Sequence, residues 1–386
     1  MKIAIVPDIH LGSRSFGKDS PDKLNSRIQD QLDLMYYVYD KCLNNKVGRM
    51  ILLGDIFDKE HPEPALISEF FKWLTKCTDS FNVDIILGNH DFKRVGNKAI
   101  SILDTIPAAR IKNCNVILEI CTKKYDDLSI TYIPYFDRKE LSFQKNSEAV
   151  DFIVKSINES LSINKCNKNI ALGHMAIEKS IYVGEEIEDE YNEIFLPTSA
   201  FKLFDYTWMG HIHDAQILNR KPFVAHLGSL DRYSFKDKDK FICIYDSETN
   251  LFKDYKLPCR NLVDVSIVVP SDVTNTNDYV KNEINKIEQE TLQGAILRIK
   301  IDIESSEADS LSKKDILSLF SSMNIQHVTE LTERKKVAIV ETKVDIDETT
   351  NPYKAVDKFM EVVDINNDFK QQISNACKDI IKELYQ

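Results

Sequence analysis

Seven residues of metal-binding type recur along the chain in five short pieces, each placed where a strand signal runs into a loop. They are Asp8 and His10 in Pro-Asp-Ile-His-Leu-Gly, Asp55 in Gly-Asp-Ile-Phe-Asp, Asn89 in Gly-Asn-His-Asp, His174 in Gly-His-Met, and His211 and His213 in Gly-His-Ile-His. Any one of these pieces alone is a weak signal, more often a turn or a hairpin loop than a site. Together they point to a pair of cations acting on a phosphate ester. Hydrolysis of such an ester needs an activated water and a clamp on the charged oxygens, and two cations about 3.5–4 Å apart supply both. The donors mix carboxylate, amide and imidazole, with no thiolate. That set suits two divalent ions of the Mn²⁺ or Mg²⁺ kind, Mn²⁺ first, better than a structural zinc.

A carboxylate can bridge two cations with its two oxygens. Asp55 is the candidate bridge, because its loop lies between the two halves of the set. The first half-site is then Asp8, His10, Asp55 and His213, and the second Asp55, Asn89, His174 and His211. On an extended Gly-His-Ile-His segment, residues two apart point the same way, so the two imidazoles serve neighbouring ions. Gly54, Gly88, Gly173 and Gly210 each precede a ligand, where a Cβ would obstruct the tight turn. His90 projects differently from Asn89 and is assigned to the scissile phosphate or the leaving oxygen, as an acid or hydrogen-bond donor. It needs an orienting carboxylate. Asp58 and Asp91 are the candidates, and Asp58, on the loop facing the site, is preferred. His226 is left out of the set, and His61 and His327 read as surface residues.

The elements that must position these groups alternate in the first third of the chain. Strand signals at 2–7, 49–53 and 83–87 are separated by helical spacing at 24–45 and 64–78, a βαβαβ order that implies a sheet at least partly parallel. Ligands of such sheets bind at the carboxyl ends of the strands, where Asp8, Asp55 and Asn89 fall. Further strands are predicted at 115–120, 128–134, 169–173, 206–210, 223–225, 240–245 and 252–257, with a helix near 148–163. The simplest architecture is an α/β (α+β) two-sheet sandwich flanked by helices, with the ligand loops along one edge. A different region follows, with strands at 262–269, 295–301 and 336–340 and helices at 278–290 and 313–323. The expected division is a catalytic domain at 1–260, a small α+β cap at 261–341, and a linker with C-terminal helices at 342–386. Phe369, Ile373, Cys377, Ile380 and Leu384 share one face of the last helix.

Length and composition bound the rest. A chain of 386 residues suggests two or three domains. No apolar run approaches the roughly 20 residues of a membrane span, and the start of the chain lacks a signal-peptide pattern. Eight scattered cysteines without a C-x-x-C pair read as reduced cytosolic thiols. A net charge of −11 argues against a free-standing DNA-coating protein. It leaves a nuclease open, since bound divalent ions reverse the local field.

The order of the five motifs resembles the calcineurin-like metallophosphoesterase superfamily. The finer resemblance is to SbcD-type double-strand-break repair nucleases, bacteriophage recombination subunits among them. It is carried by Asp8-Ile9-His10-Leu11-Gly12, Gly54-Asp55-Ile56-Phe57-Asp58, Gly88-Asn89-His90-Asp91, Ile133-Pro134-Tyr135, Gly210-His211-Ile212-His213 and Gly228-Ser229-Leu230, all within the first 230 residues. The resemblance implies manganese-dependent 3′-to-5′ exonuclease action on duplex DNA ends and endonuclease action on single strands. It also implies a homodimer within a heterotetramer, with an SMC-like ATPase of SbcC type docked on the C-terminal helices, in the cytoplasm of a bacterial or phage-infected cell. Some members carry a second catalytic histidine where this chain has Asp58, so transition-state roles do not transfer from them. The acidic run at 184–190 would repel a DNA backbone unless it faces solvent or a partner.

Two other functions compete. A phosphatase of the same superfamily would follow the bridging loop with Asp-Arg-Gly in the protein-phosphatase case, whereas this chain has Asp58-Lys59-Glu60. A scaffold subunit that binds without cutting would be expected to lose ligands, and all seven are present. Ser229, Arg232 and Lys236 are read as either DNA contacts or loop supports.

Overall fold

The structure is a computed structural model that describes residues 1–95, 98–138, 141–182, 193–287, 289–304, 311–321, 323–335, 351–362 and 367–384. Two six-stranded sheets stack face to face. In the first, the strands Lys2–Val6, Arg49–Leu52, Asn82–Ile86 and Cys114–Ile117 run parallel, and Phe241–Asp246 and Leu251–Lys256 continue the sheet antiparallel on the far side of Lys2–Val6. In the second, Phe223–His226, Tyr206–Gly210, Lys168–His174 and Leu128–Ile133 are parallel neighbours, edged by Gln216–Arg220 and Cys121–Tyr125.

Both sheets are covered on both faces, which is why their central strands read as continuous apolar runs. Ile3, Ile5, Ile51 and Ile86 of the first sheet meet Ile130, Tyr132, Leu172 and Trp208 of the second in a shared core. The helices Ser26–Asn44 and Pro64–Ser80 cover the outer face of the first sheet through Ile28, Met35, Phe70 and Trp73. The helix Asn146–Asn164 covers the second through Ala149, Ile153, Ile157 and Leu161. Proline at the start of Pro64–Ser80 suits a first turn, where its missing N–H has no partner to lose.

The parallel strands bring their carboxyl ends to one edge. Val6 lies beside Leu52, Leu52 beside Ile85, and Gly210 beside His174. The proposed ligands lie at these strand ends and in the loops that follow, His174 being the last residue of its strand. The edge strands Cys121–Tyr125 and Gln216–Arg220 were not expected. Each is short and polar on its outer side, so the hydrophobic pattern of a central strand is missing.

Residues 262–335 build a separate three-stranded parallel sheet from Leu262–Val269, Ile296–Ile303 and His327–Lys335, packed on Thr276–Asn285 and Lys313–Ser321 around a core of its own. The third strand precedes the predicted one, because His-Val-Thr-Glu-Leu-Thr-Glu-Arg-Lys is a half-exposed edge sequence with no apolar run. The predicted strand at 336–340, the acidic run at 184–190 and all but the last residue of the linker at 341–351 lie outside the described residues. The helices Pro352–Val362 and Asn367–Leu384 pack on one another.

A chain of buried charges ties this region to the ligand edge. Arg260 grips both carboxylate oxygens of Asp30, at 2.7 and 2.6 Å, and donates to the Gly294 carbonyl. Arg27, fully buried, pairs with Asp30 at 2.8 Å and Asp231 at 2.6 Å. The Leu230 N–H then donates to the Asp8 carbonyl at 2.7 Å. Breaking such a buried pair by removing one partner costs roughly 3–5 kcal/mol. Ser229 is buried and donates to the Asp231 carbonyl, and Arg232 bonds Asp239, Asn261 and two carbonyls. Both are therefore loop supports, whereas Lys236 is exposed.

Candidate metal centre

Three of the proposed ligands sit at positive φ: His10 at 46°, Asp55 at 45° and His211 at 81°. Non-glycine residues there cost on the order of 1–3 kcal/mol each and persist only where surrounding bonds over-determine them. Those bonds run between the ligand loops. The Ile9 and His10 N–H groups both donate to the Asp55 carbonyl, at 3.0 and 2.8 Å. Asp91, buried, accepts from the Ile56 N–H at 2.7 Å and the Gly88 N–H at 2.9 Å, so it pegs the Asp55 loop to the Asn89 loop. The His211 N–H donates to Asp8 Oδ2 at 2.7 Å. Gly88 and Gly210 lie so close to the Asp55 and Asp8 carboxylates that an added Cβ would run into them.

The side chains converge in two groups. His10 Nε2 and His213 Nε2 are 2.8 Å apart, and Asp8, His10 and His213 offer ligand atoms within 4.8 Å of one another. On the other side, Asn89 Oδ1 lies 3.0 Å from both His174 Nε2 and His211 Nδ1. Asp55 Oδ2 stands between the groups, 3.5 Å from His10 Nε2 and 3.3 Å from His174 Nε2. All seven residues therefore gather at one place, with Asp55 in contact with both halves. His211 does not lie on an extended segment, as the Gly-His-Ile-His spacing suggested. The strand ends at Gly210 and the chain turns at His211, whose N–H is drawn to Asp8. The two imidazoles still reach different halves.

These donors fit a cation pair. Burial drives the His10 imidazole down to about 3 and His213 well below its ordinary value, so both rings are neutral and turn nitrogens toward each other. Although burial pushes the Asp55 carboxyl up, His174 and His90 beside it hold it well below the usual range, ionised. His174 Nδ1 donates to the Leu53 carbonyl at 2.8 Å, which directs its Nε2 toward Asn89 Oδ1. Such an outer-shell bond sets the tautomer a metal ligand needs. Two donors about 2.1 Å from one octahedral ion stand roughly 3 Å apart, close to the spacings here. The second-row supports are specific. Tyr233 packs on His10 with ring centroids 5.4 Å apart and donates to the Ile9 carbonyl, and Lys240, buried, donates to the His213 carbonyl at 2.7 Å.

His90 lies beside the His10 ring, with centroids 4.9 Å apart, and its N–H donates to Asp55 Oδ1 at 2.9 Å. Its Nδ1 donates to the main-chain carbonyl of Asp58 at 2.9 Å. Asp58 meets the ring through its backbone carbonyl, and its carboxylate Oδ1 is 4.0 Å from His10 Nδ1. Asp91 is committed to two amides instead. Burial and then the Asp55 charge push its carboxyl up to about 7. Two neighbours had no clear signal in the sequence. Glu193 Oε1 is 3.4 Å from His211 Nε2, and Tyr135, which donates to Glu193 Oε2, packs 5.5 Å from the His211 ring. Tyr135 was visible in Ile133-Pro134-Tyr135, but its contact with His211 was not. His226 is buried behind the site, on the Gly210 carbonyl and the Ser180 hydroxyl.

Residues 1–215 match the family model described as calcineurin-like phosphoesterase. The chain is 23% identical over 305 residues to the SbcD subunit of the SbcCD nuclease of Staphylococcus epidermidis, covering 74% of this chain and 77% of that protein. Among solved structures it is similar to an archaeal phosphodiesterase, at 16% identity and a TM-score of 0.33 over 67% of this chain and 100% of that one. It is also similar to a dimetal phosphatase from Danio rerio, at 10% identity and a TM-score of 0.43 over 67% of this chain and 96% of that one. Among the described residues, no helix is long and apolar enough to cross a membrane.

Proposed function

The chain belongs to the calcineurin-like phosphoesterase family, and on that premise we propose that it is a two-metal DNA nuclease. It acts as a 3′-to-5′ exonuclease on duplex ends and an endonuclease on single strands, as the nuclease subunit of a DNA-end processing complex with an SMC-like ATPase of SbcC type. The observation that carries the reading is Asp55 Oδ2, held between His10 Nε2 and His174 Nε2 with His90 alongside. The similarity to a nuclease subunit over 74% of the chain supports DNA as the substrate.

Asp8, His10, Asp55 and His213 hold one ion, Asp55, Asn89, His174 and His211 the other, and Mn²⁺ is the proposed metal. When bound, such a pair supplies an activated water and neutralises the charge that develops on the phosphate oxygens. Because a carbonyl only accepts, Nδ1 keeps its proton and directs it at the Asp58 carbonyl, a bond that fixes the orientation of the His90 ring. In that orientation His90 serves as the acid or hydrogen-bond donor to the scissile phosphate or the departing oxygen.

Residues 1–260 form the nuclease domain and 261–341 the DNA-side cap. Residues 342–386 form the linker and the helices that dock the ATPase, where Tyr353, Phe359, Phe369 and Ile380 remain exposed. The working form is a homodimer within a heterotetramer, in the cytoplasm of a bacterial or phage-infected cell. The test is cleavage of end-labelled duplex and single-stranded DNA by purified protein with Mn²⁺, Mg²⁺ or EDTA. Manganese-dependent ladders are expected. Turnover of a simple aryl phosphate ester without any DNA cutting would replace the nuclease by a phosphatase.

A further inference from the structure

Beside the second half-site lies a cavity of about 110 Å³ whose walls are Leu87, Phe92, Leu118, Pro134, Tyr135 and Phe136. A water's share of liquid volume is about 30 Å³, so the cavity has room for roughly four of them, and an enclosed cavity of about 150 Å³ takes a benzene ring. Open on the side of the exposed Leu118 and Asp104, it admits a flat six-membered ring whose substituents project past the rim. Its position is set by the catalytic loops themselves. Leu87 leads into Gly88-Asn89-His90, and Phe92 follows Asp91. Tyr135 forms a shared wall, its ring 5.5 Å from His211 and 6.1 Å from His174. The Tyr135 N–H donates to the Leu87 carbonyl at 2.9 Å, which fixes the two sides of the cavity to each other.

The lining decides the class of ligand. It contains three aromatic rings and a proline and, among the described residues, no lysine or arginine, so it is not built for a phosphate. Its polar side is Ser101 and Asp104. The Ser101 hydroxyl is engaged with the Asp91 carbonyl and the Leu103 N–H. Asp104 accepts from the Ser101 N–H at 3.1 Å and is exposed at the rim, where a carboxylate has capacity for further donors. Aromatic side chains that line a nucleic-acid site stack on the faces of bases, and polar groups at its rim meet the base edge.

We propose that this cavity is a nucleobase subsite. It takes a pyrimidine base adjoining the scissile phosphate, and the Asp104 carboxylate favours cytosine, with its exocyclic amine, over thymine. The inference rests on the nuclease reading and adds to it where the flanking base goes and which bases are preferred. Stacking of a base on aromatic side chains is worth roughly 5- to 150-fold per base.

The test uses the full chain with Mn²⁺ and an oligonucleotide carrying one abasic residue, with rates read at the phosphates on either side of it. At one of these two positions the rate should fall roughly 5- to 150-fold relative to intact DNA. Leu118, 52% exposed, can be enlarged without disturbing the core. Leu118→Trp should slow cutting of intact DNA by a similar factor and abolish sensitivity to the abasic residue, with Mn²⁺ stoichiometry unchanged. Asp104→Asn keeps an oxygen for Ser101 and should erase the cytosine-over-thymine preference. Equal rates at abasic and intact positions in the unmodified protein, alongside efficient cutting elsewhere, would overturn the subsite, and so would a Leu118→Trp protein that remains abasic-sensitive. Failure to cut any DNA would instead remove the nuclease reading.

Discussion

Asp91→Asn separates the stability of the fold from the assembly of the metal centre. The carboxylate accepts the Ile56 N–H at 2.7 Å and the Gly88 N–H at 2.9 Å. Asparagine keeps one acceptor and turns an NH₂ toward the other amide, donor against donor. A buried N–H left without a partner costs about 1–3 kcal/mol. Against this stands the cost of the buried charge. Burial, then the Asp55 charge, raises the Asp91 carboxyl from 3.8 to about 7. The folded chain therefore binds the extra proton between those values. The stability this group contributes is fully present below pH 3.8 and is lost as pH rises through 7, amounting to about 4 kcal/mol by pH 8. Asparagine removes that penalty. In EDTA at pH 8 the variant should thus melt no lower than the parent, and its relative advantage should shrink as pH falls toward 4. Its metal centre should suffer nonetheless. Gly88 is freed from the Asp55 loop, and a slip of about 1 Å at reacting groups costs on the order of 100-fold in rate. Calorimetric melts in EDTA, Mn²⁺ titration and cleavage rates check the three parts. A variant with parental Mn²⁺ affinity and cleavage rate would refute the role of Asp91 as a peg between the loops.

His90→Ala should keep both ions and lose cleavage by about 10²–10⁴-fold, the usual worth of a positioned acid, read by metal analysis beside single-turnover rates. The metal-free protein should be acid-sensitive. Burial lowers His10 and His226 from 6.5 to about 3, so their neutral forms stabilise the fold above pH 6.5 and that contribution is lost as pH falls toward 3. Each loses about 2 kcal/mol by pH 5, which melts in EDTA across that range will reveal, and a flat profile would contradict the shifts. Deleting residues 352–386 should spare Mn²⁺-dependent cutting of single strands and abolish association with the ATPase. Pull-down of the partner by the truncated chain would place docking elsewhere.

The gathering of the seven proposed ligands was legible because each closes a short strand–loop motif of metal-binding residue types. The parallel core strands were legible for a related reason, since burial on both faces leaves continuous apolar runs such as those at 3–6 and 50–52. Edge strands failed that criterion. His327–Lys335 and Cys121–Tyr125 are held by backbone pairing to a neighbour rather than by an apolar pattern. The supports of the site were hidden for a third reason. The bond from His90 to the Asp58 carbonyl, the double bond of Asp91 to two amides, and the approach of Glu193 to His211 depend on backbone positions that residue type does not encode. The turn at His211 belongs to the same class.

The central claim is a cation pair sharing Asp55. Anomalous scattering at the manganese edge, from crystals grown with Mn²⁺, tests it most directly. Two peaks about 3.5–4 Å apart are expected, one against Asp8, His10 and His213, the other against Asn89, His174 and His211, with the Asp55 carboxylate between them. A single peak, or two peaks that do not both contact Asp55, would contradict it.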